Sequence, residues 1–323
     1  EMLRSLVGSE MCIRDSMQNV ELLKTRYNRG KGGTKKMCVV LSNINIKGGI
    51  GKTIGNATMA EILAKCGKRV LLVDNDPQCN MTGLFGMMTD EERYTIKDLY
   101  MCPQERLPEY ARQMVYPTKY ENIDMIVSEP GHRDTISYVE QLRDCDTRSI
   151  LANAISFFKK DYDYIIIDKN PSADILATNV LVACDEVIAP VEMDGFSYQG
   201  LTNLFLEIQN ITSNGELNPF LTFRGIYMVK VEKNTNLFRS LYEAYKKELG
   251  EFFLQATVRK SIQVAECSAK SIPLLHYKKR SNPLEDYILL MEELKYITSD
   301  QARELLKEHA TSKEYKTAKI IRK

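Results

Sequence analysis

The stretch IKGGIGKT, residues 46–53, is the segment from which the fold of this chain is best inferred. It ends in the Gly-Lys-Thr of the phosphate-loop pattern G-x-x-x-x-G-K-[ST], although Ile46 stands where the pattern has its first glycine. Gly48, Gly49 and Gly51 let the backbone turn tightly and point N–H groups inward. Together with the N-terminus of a following helix, such a turn makes an anion-binding site. The stretch therefore predicts a phosphate-binding loop.

The two lysines of this loop have different predicted tasks. Lys52 would reach the β- and γ-phosphates of a bound nucleotide, and the hydroxyl of Thr53 would bind Mg²⁺. Because Lys52 already serves the nucleotide of its own subunit, Lys47 is redundant unless it meets another charge. We therefore expect Lys47 to act on a nucleotide held by a second subunit, as an arginine finger does, where such a charge contributes about 10³–10⁵ in rate. ATP binding and homodimer formation would then be coupled.

Strand-like and helix-like segments alternate around the loop. Apolar runs typical of buried strands occur at 37–43, 69–74, 122–128, 162–168, 186–191 and 223–230. Helix-length segments lie between them, including 53–67, 147–160 and 200–211. Continuous apolar strands separated by helices indicate a parallel sheet that is covered on both faces. The sequence predicts an α/β fold, a single doubly wound, mostly parallel sheet with helices on both faces, over residues 37–298.

Three aspartates come at the ends of predicted strands. Asp74 and Asp76 follow the second strand in VLLVDNDPQCNMTG (70–83), and Asp168 ends the run YDYIIID (162–168). Open α/β sheets bind ligands at the carboxyl ends of their strands. Two carboxylates at i and i+2 can have separate roles, because one can bind Mg²⁺ while the other positions an attacking water. Asp168 would hold Mg²⁺ through water, as phosphate-loop enzymes require.

The pattern K-G-G-x-G-K-T at 47–53 resembles the deviant Walker A signature of the ParA/MinD family, and the ParA branch in particular, over roughly residues 37–298. The segment DNDPQCN (74–80) is similar to that family's D-x-D-P-Q-x-N. The resemblance implies that Lys47 contacts the partner's nucleotide in a sandwich dimer, that Asp76 positions the water and that Asp74 is on the metal side. It implies ATP and Mg²⁺ as cofactors, bound by Gly48, Gly49, Ile50, Gly51, Lys52, Thr53 and Ile54.

Some positions depart from the family pattern. Ile46 stands where a polar residue is common, and Ile54 where a second threonine is common. KNPS (169–172) replaces the more usual C-P-P-S and keeps Pro171 and Ser172. We expect this last difference to leave metal binding intact and to alter how the loop senses the γ-phosphate.

The resemblance also implies partners. In ParA proteins the ATP-bound dimer binds duplex DNA non-specifically, and a ParB-like partner triggers hydrolysis and release. The segment TVRKSIQVAECSAKSIPLLHY (257–277) resembles the family's I-P-R-x-V-R-L-S-E-A. This chain has Lys260 and Gln263 where that motif has its two DNA-contacting arginines, and it has Asn234 at the place of another arginine of the family. The candidate DNA contacts are Lys233, Arg259, Lys260 and Lys270. The expected function is a Mg-ATP-dependent dimerisation switch that hydrolyses ATP and drives segregation or positioning of plasmid, chromosomal or mobile-element DNA.

Composition and termini set the remaining expectations. The 44 basic and 43 acidic residues give no overall bias toward nucleic acid, and the eight cysteines lack a C-x-x-C pair, as expected of reduced cytoplasmic thiols. No apolar run is long enough to cross a membrane.

Residues 1–16 resemble a translated sequencing adapter, so we expect a native start at Met17. A basic extension (17–36) would precede the domain and a basic tail (299–323) would follow it. The ATP-bound protein is expected on the nucleoid.

Two other classes of protein share such a loop. A MinD-like ATPase that acts on membrane or protein cargo should carry a basic amphipathic terminal helix, and KEYKTAKIIRK (313–323) offers only Ile320 and Ile321 for its apolar side. An iron–sulfur reductase needs symmetrically placed cysteines, usually beside glycines. An amidoligase-type synthetase needs a separate constellation of polar substrate-binding residues. Neither pattern is visible in the sequence.

Overall fold

The computed structural model describes residues 38–88, 92–103, 105–142, 146–192, 197–213, 217–278 and 280–311. One sheet has the strand order β3-β4-β2-β5-β1-β6-β7-β8, in which β3 is antiparallel to β4 and the other neighbours are parallel. The strands are β1 (Val39–Asn43), β2 (Val70–Asn75), β3 (Tyr116–Pro117), β4 (Ile123–Ile126), β5 (Tyr164–Lys169), β6 (Glu186–Glu192), β7 (Thr222–Val231) and β8 (Phe253–Arg259). The predicted doubly wound, mostly parallel sheet is confirmed.

Helices connect the strands and cover both faces of the sheet. In the described residues they are α1 (Lys52–Lys65), α2 (Asn80–Leu84), α3 (Ile96–Met101), α4 (Leu107–Tyr110), α5 (Asp134–Gln141), α6 (Ile150–Ser156), α7 (Ile175–Ala183), α8 (Ser197–Ser213), α9 (Asn236–Leu249), α10 (Ile262–Lys270), α11 (Leu274–Tyr277), α12 (Asn282–Glu293) and α13 (Ser299–His309). None of these helices is long and apolar enough to cross a membrane.

The central strands are buried on both faces, which explains why they are continuous apolar runs rather than alternating ones. On one face, Val73 of β2 and Ile167 of β5 pack in a cluster with Val180 of α7. On the other face, Leu72 of β2 and Ile166 of β5 pack in a second cluster with helices α1 and α12. The two clusters hold the sheet as the middle layer of three and fix which side chains point toward α1.

The folded region continues beyond the predicted boundary at residue 298. Helix α13 begins with a capping box between Thr298 and Gln301 and buries Ala302, Leu305 and Leu306. The segment 299–311 is therefore packed against the domain and is not the basic tail that was predicted to begin at 299. Residues 1–37 and 312–323, which include the predicted N-terminal segments and the end of the tail, lie outside the described residues.

The topology places the loop after β1 at a switch point of the sheet. Strand β1 lies between β5 on one side and β6 on the other, and the chain places β2, β4 and β5 on the first side before it returns to β6. In open parallel sheets the crevice outside the carboxyl ends at such a point is the usual ligand site. The carboxyl ends of β1, β2 and β5 and the segments that follow them carry the predicted site residues and all meet there.

Candidate active site

The phosphate loop connects β1 to α1 and turns through left-handed conformations that favour glycine. Gly49 has φ +72° and Gly51 has φ +86°, so side chains at these two positions would be strained. Asn45 holds the base of the loop, because its Oδ1 accepts the Lys47 backbone N–H at 2.9 Å and its Nδ2 donates to the Pro190 carbonyl at 2.8 Å. The N-terminus of α1 has no side-chain cap and is left open for an anion.

Lys52 fills the interior of the loop. Its side chain is buried, and its Nζ donates to the backbone carbonyl of Lys47 at 2.9 Å. Burial and, next, the charge of Lys169 lower the pKa of Lys52 to about 8, while the charges of Asp168 and Asp76 oppose the shift. A bound phosphate would supply the negative charge that favours the ammonium form. The geometry fits the predicted contact with nucleotide phosphates.

Thr53 and Asp168 come together across the loop, as a metal site would require. The Thr53 hydroxyl donates to Asp168 Oδ2 at 2.7 Å, and Asn56 Nδ2 donates to Asp168 Oδ1 at 2.8 Å. Burial raises the pKa of Asp168 to about 6, although both hydrogen bonds oppose the rise. A hydroxyl and one carboxylate at the end of a phosphate loop are oxygen ligands that suit Mg²⁺ held mainly by phosphates and water. These residues fit the ion that was predicted for them.

Asn56 is a site residue that sequence reasoning missed. Its Oδ1 accepts both the backbone N–H and the Nδ2 of Asn43 at 2.9 Å, and Tyr227 donates its hydroxyl to Asn43 Oδ1 at 2.9 Å. All three side chains are fully buried. This chain of hydrogen bonds fixes α1 against β1 and holds Asn56 where it can orient Asp168.

Asp74 is held by protein donors rather than left open. The backbone N–H and the hydroxyl of Thr82 both donate to Asp74 Oδ2 at 2.7 Å, and the backbone N–H of Asp76 donates to Oδ1 at 3.2 Å. Burial and the neighbouring charge of Asp168 raise the pKa of Asp74 to about 7. Asp74 and Asp168 are register partners on adjacent strands, so they lie close together. The geometry makes Asp74 an anchor for the loop that carries Asp76.

Asp76 lies at the turn that follows β2. Its Oδ1 accepts the Gln78 backbone N–H at 2.8 Å, and its carbonyl oxygen accepts the hydroxyl of Ser128 at 2.9 Å. Burial raises the pKa of its carboxyl, whereas the Gln78 N–H and Lys52 oppose this shift. The hydrogen bond from Ser128 ties the loop to the end of β4. Asp76 is therefore fixed in the same pocket as Lys52 and Asp168.

Lys47 is on the outer side of the loop. Its side chain is 39 % exposed, and its Nζ lies 2.9 Å from Oε2 of Glu192 at the end of β6. Glu192 also pairs with Lys230 at the end of β7. Burial opposes ionisation of Glu192, but the hydrogen bonds from Lys230 and Lys47 lower its pKa below the usual value. Lys47 and Lys52, five residues apart, therefore point to different sides of one loop.

The four candidate DNA contacts all interact with protein groups, and two of them, Lys233 and Arg259, share the carboxylate of Asp286. The Arg259 Nε lies 2.8 Å from Oδ2 of Asp286, whose side chain is 1 % exposed. Lys260 Nζ lies 3.0 Å from Glu232, and Lys233 Nζ lies 4.0 Å from Asp286. Lys270 Nζ lies 5.1 Å from the ring centroid of Tyr277. Arg259 is committed to the fold, whereas Lys260 and Lys270 remain at the surface.

The glycine loop, the lysine inside it and the hydroxyl–aspartate pair beside it define a phosphate-loop nucleotide-binding protein. A family model described as "AAA domain" matches residues 38–223. The chain is 29% identical to the sporulation initiation inhibitor protein Soj of Bacillus subtilis over 79% of this chain and 97% of that protein. It is 28% identical to the chromosome partitioning protein ParA of Myxococcus xanthus over 83% of this chain and 92% of that protein.

A solved structure with the same fold is cobyrinic acid a,c-diamide synthase from Mycobacterium smegmatis with bound ATP analogue and magnesium. It is 22% identical, has a TM-score of 0.63, and the match covers 79% of this chain and 95% of that chain. The present chain belongs to the ParA/MinD family of ATPases. With that membership, the predicted ATPase activity is confirmed, and the loop, Lys52, Thr53 and Asp168 fit the predicted ligands ATP and Mg²⁺.

Proposed function

We propose that this ATPase is a dimerisation switch of the ParA type that segregates or positions DNA. The observation that carries the proposal is the placement of the two loop lysines, with Lys52 buried inside the loop and Lys47 partly exposed on its outer side. A second cation on the outer side serves hydrolysis only if another subunit brings a nucleotide to it. The similarity to a protein named for chromosome partitioning supports DNA as the cargo.

The site residues have distinct proposed roles in hydrolysis. Lys52 binds the β- and γ-phosphates, and Thr53 with Asp168 holds Mg²⁺, which supplies charge neutralisation on the phosphate oxygens. Asp76 orients the attacking water and accepts its proton. Lys47 stabilises the charge that develops on the nucleotide of the partner subunit.

Asp74 has a different proposed role from the one predicted. Its carboxylate already accepts hydrogen bonds from Thr82 and from the backbone of Asp76. We therefore place Asp74 as the residue that fixes the Asp76 loop, and we leave Thr53 and Asp168 as the metal ligands. A Thr82→Val variant, which removes one donor to Asp74, should slow hydrolysis more than it weakens nucleotide binding.

The DNA surface is proposed to consist of the exposed lysines near the carboxyl ends of β7 and β8. Lys233, Lys260 and Lys270 can exchange their protein contacts for phosphates, because exposed ion pairs and cation–π contacts are weak. Arg259 is left out of this surface because its guanidinium is bound to a buried carboxylate. A ParB-like protein bound to the cargo is the proposed activator, and the nucleoid is the proposed location of the ATP-bound dimer.

The first experiment compares two alanine variants in nucleotide binding and in dimerisation. Lys52→Ala should abolish binding of ATP, measured by isothermal titration calorimetry. Lys47→Ala should keep ATP binding but lose the ATP-dependent dimer in sedimentation velocity, and lose hydrolysis with it. Equal loss of nucleotide binding in both variants would contradict the trans-acting role of Lys47. Asp76→Ala should accumulate the ATP dimer, and normal hydrolysis by that variant would contradict its role with water.

A second experiment tests the cargo. Fluorescence anisotropy with random-sequence duplex DNA, at several salt concentrations, should show binding with ATP, much less with ADP and none without nucleotide. Binding should weaken steeply with salt, because phosphate contacts release counterions. Absence of DNA binding in a protein that still forms the ATP dimer would reject DNA and direct the search toward protein cargo.

A further inference from the structure

Two buried side chains, Asn75 and His132, hold the loop that carries Asp76 from the face of the sheet opposite Asp74. Asp74 and Asn75 are the last two residues of β2, so their side chains point to opposite faces. Asp74 accepts its hydrogen bonds from α2 and from the loop, whereas Asn75 meets His132 and the backbone of Leu176. None of the roles proposed for hydrolysis uses Asn75 or His132.

The hydrogen bond between Asn75 and His132 has one possible direction. Nδ2 of Asn75 donates to the carbonyl of Leu176 at 3.2 Å, and because a carbonyl only accepts, the amide oxygen must face the ring of His132. Nε2 of His132, 3.2 Å from that oxygen, therefore carries a proton and is the donor. Nδ1 accepts the hydroxyl of Thr135 at 3.1 Å. The side chains of Asn75, His132 and Thr135 are fully buried, so water does not compete for these hydrogen bonds.

One segment after β4 holds two consecutive residues of the loop. The hydroxyl of Ser128 donates to the carbonyl oxygen of Asp76 at 2.9 Å, and His132 holds the side chain of Asn75. The 3₁₀ turn Pro130–Arg133 brings these two donors to the same loop. Together the two hydrogen bonds restrain the backbone on both sides of the peptide bond between Asn75 and Asp76.

The amide nitrogen of Asn75 reaches the other half of the site. Leu176, whose carbonyl accepts this group, is in the first turn of α7, and α7 follows the segment that begins after Asp168. Asn75 therefore links the loop of Asp76 to the chain that leads away from the proposed metal ligand. A carboxylate that orients water must be held within about 0.5 Å of its working position, so loss of this link should change the rate of hydrolysis.

We propose that Asn75 and His132 are positioning residues for hydrolysis: the hydrogen bond from His132 to Asn75 fixes the loop so that Asp76 can orient the attacking water. Both side chains are fully buried on the far face of the sheet, so they act through Asp76 and do not touch the nucleotide. The proposal rests on the role proposed above for Asp76. Loss of the hydrogen bond should therefore slow hydrolysis and leave nucleotide binding unchanged.

The test is a pair of substitutions at His132. His132→Phe keeps a planar ring and removes both nitrogens, and kcat at saturating Mg-ATP should fall by a factor of roughly 10 to 100. The Kd of a non-hydrolysable ATP analogue, measured by titration calorimetry with Mg²⁺, should change by less than about twofold. His132→Gln places an amide nitrogen where it can replace Nε2, and kcat should then stay within about threefold of the unaltered protein. Sedimentation velocity should show the same ATP-dependent dimer in both variants.

Asn75→Leu removes the same hydrogen bond from the other side and decides the question if His132→Phe does not fold. Its matched control is Asn179→Leu. Asn179 is also fully buried, and it accepts the Leu151 backbone N–H at 3.0 Å and donates to the Thr147 carbonyl at 2.8 Å, which ties α6 to α7 without a contact to the Asp76 loop. Both substitutions should lower the Tm, but only Asn75→Leu should lower kcat.

The outcomes separate a positioning role from a structural one. Unchanged kcat in folded His132→Phe or Asn75→Leu would overturn the proposal. An equal fall in kcat in Asn179→Leu, or no recovery in His132→Gln, would also overturn it, because general loss of packing would then explain the effect. Normal hydrolysis by Asp76→Ala would reject the role of Asp76 itself. Loss of hydrolysis in Asp76→Ala with unchanged rates in the other variants would reject the positioning role alone.

Discussion

Two regions of the molecule differ in the partners of their buried or partly buried basic side chains. One region is at the carboxyl ends of β1 and β5, and the other is at the carboxyl end of β8. Near the phosphate loop, Lys52 donates to a backbone carbonyl, and the ammonium of Lys169 has no hydrogen-bond partner in the described residues. At β8, Arg259 meets the carboxylates of Asp286 and Glu285. A cation that hydrogen-bonds to a buried carboxylate, as Arg259 does, stabilises the fold, whereas a buried cation without a carboxylate partner is available to a ligand.

The energetic consequence of this difference follows from burial. Asp286 and Glu285 have side chains that are 1 % and 4 % exposed. Burial opposes the charge on Arg259, but hydrogen bonds and attraction from Asp286 outweigh it and raise the pKa of the guanidinium. Removing Arg259 would leave Glu285 without the guanidinium and would leave Asp286 with only the ammonium of Lys233, at 4.0 Å. Removing Lys52 would instead take away a charge that burial already disfavours.

The largest effect is expected for Arg259→Met. Loss of one partner from a buried ion pair costs about 3–5 kcal/mol, because the remaining charge stays desolvated and unpaired. The free energy of unfolding, measured by urea denaturation without nucleotide, should fall by that amount. The double variant Arg259→Met with Asp286→Leu should recover part of the loss. A loss below about 1 kcal/mol would mean that Arg259 is as dispensable to the fold as a surface lysine.

The next largest effect is a loss of stability at low pH, which we expect from the buried ring of His132. The ring is buried beside the end of β2, with Nε2 at 3.2 Å from Asn75 Oδ1 and Nδ1 at 3.1 Å from Thr135 Oγ1, which suits the neutral ring. Burial lowers its pKa from 6.5 to about 4. The unfolded chain therefore binds the proton more readily between these two values, and stability is lost as pH falls through that window.

The pH experiment compares the unaltered protein with His132→Gln. Between pH 7 and pH 4 the unaltered protein should lose up to about 3 kcal/mol more of its free energy of unfolding than His132→Gln loses. Comparing the two proteins removes the contribution of the other titrating groups, including Asp74 and Asp168. A difference that does not change with pH would show that folding leaves the pKa of His132 unchanged.

The third prediction sets Lys52→Met directly against Arg259→Met. Without nucleotide, Lys52→Met should change the free energy of unfolding by no more than about 1 kcal/mol, because burial already disfavours the ammonium. The same urea titration used for Arg259→Met measures it. A loss as large as that of Arg259→Met would mean that Lys52 is held by the fold, and the distinction between the two regions would then be wrong.

The sequence was sufficient to predict the parts of the site that lie within one short motif. The loop at 46–53 and Asp168 near the end of β5 are local patterns, because the geometry of a strand, a tight turn and a helix N-terminus is set by neighbouring residues. Contacts between distant segments could not be predicted in this way. Glu192, which pairs with Lys47, is 145 residues away along the chain, and the Asn43–Asn56–Tyr227 hydrogen bonds join three elements.

The elements of the fold also differ in how well the sequence predicts them. The central strands were predicted because burial on both faces makes them apolar runs, but the edge strands β3 and β8 carry no such run. The polar and largely basic composition of residues 299–323 predicts a tail where the structure has helix α13. Its apolar stripe of Ala302, Leu305 and Leu306 and its capping residues Thr298 and Gln301 were nevertheless present in the sequence. The charge balance of a segment was a weaker guide than its periodicity.

The smallest effect is expected for Lys260→Met, which tests whether the surface part of the β8 region serves DNA at all. Lys260 and its partner Glu232 have side chains that are 67 % and 58 % exposed, so the substitution should change the free energy of unfolding by less than about 0.5 kcal/mol. If Lys260 contacts a DNA phosphate, the slope of log K against log salt for the ATP-bound protein should fall by about 0.9. Glu232→Gln is the matched control, because it frees Lys260 from its carboxylate and should tighten DNA binding slightly. An unchanged salt slope in Lys260→Met, with DNA binding intact, would assign this lysine to an ordinary solvated surface.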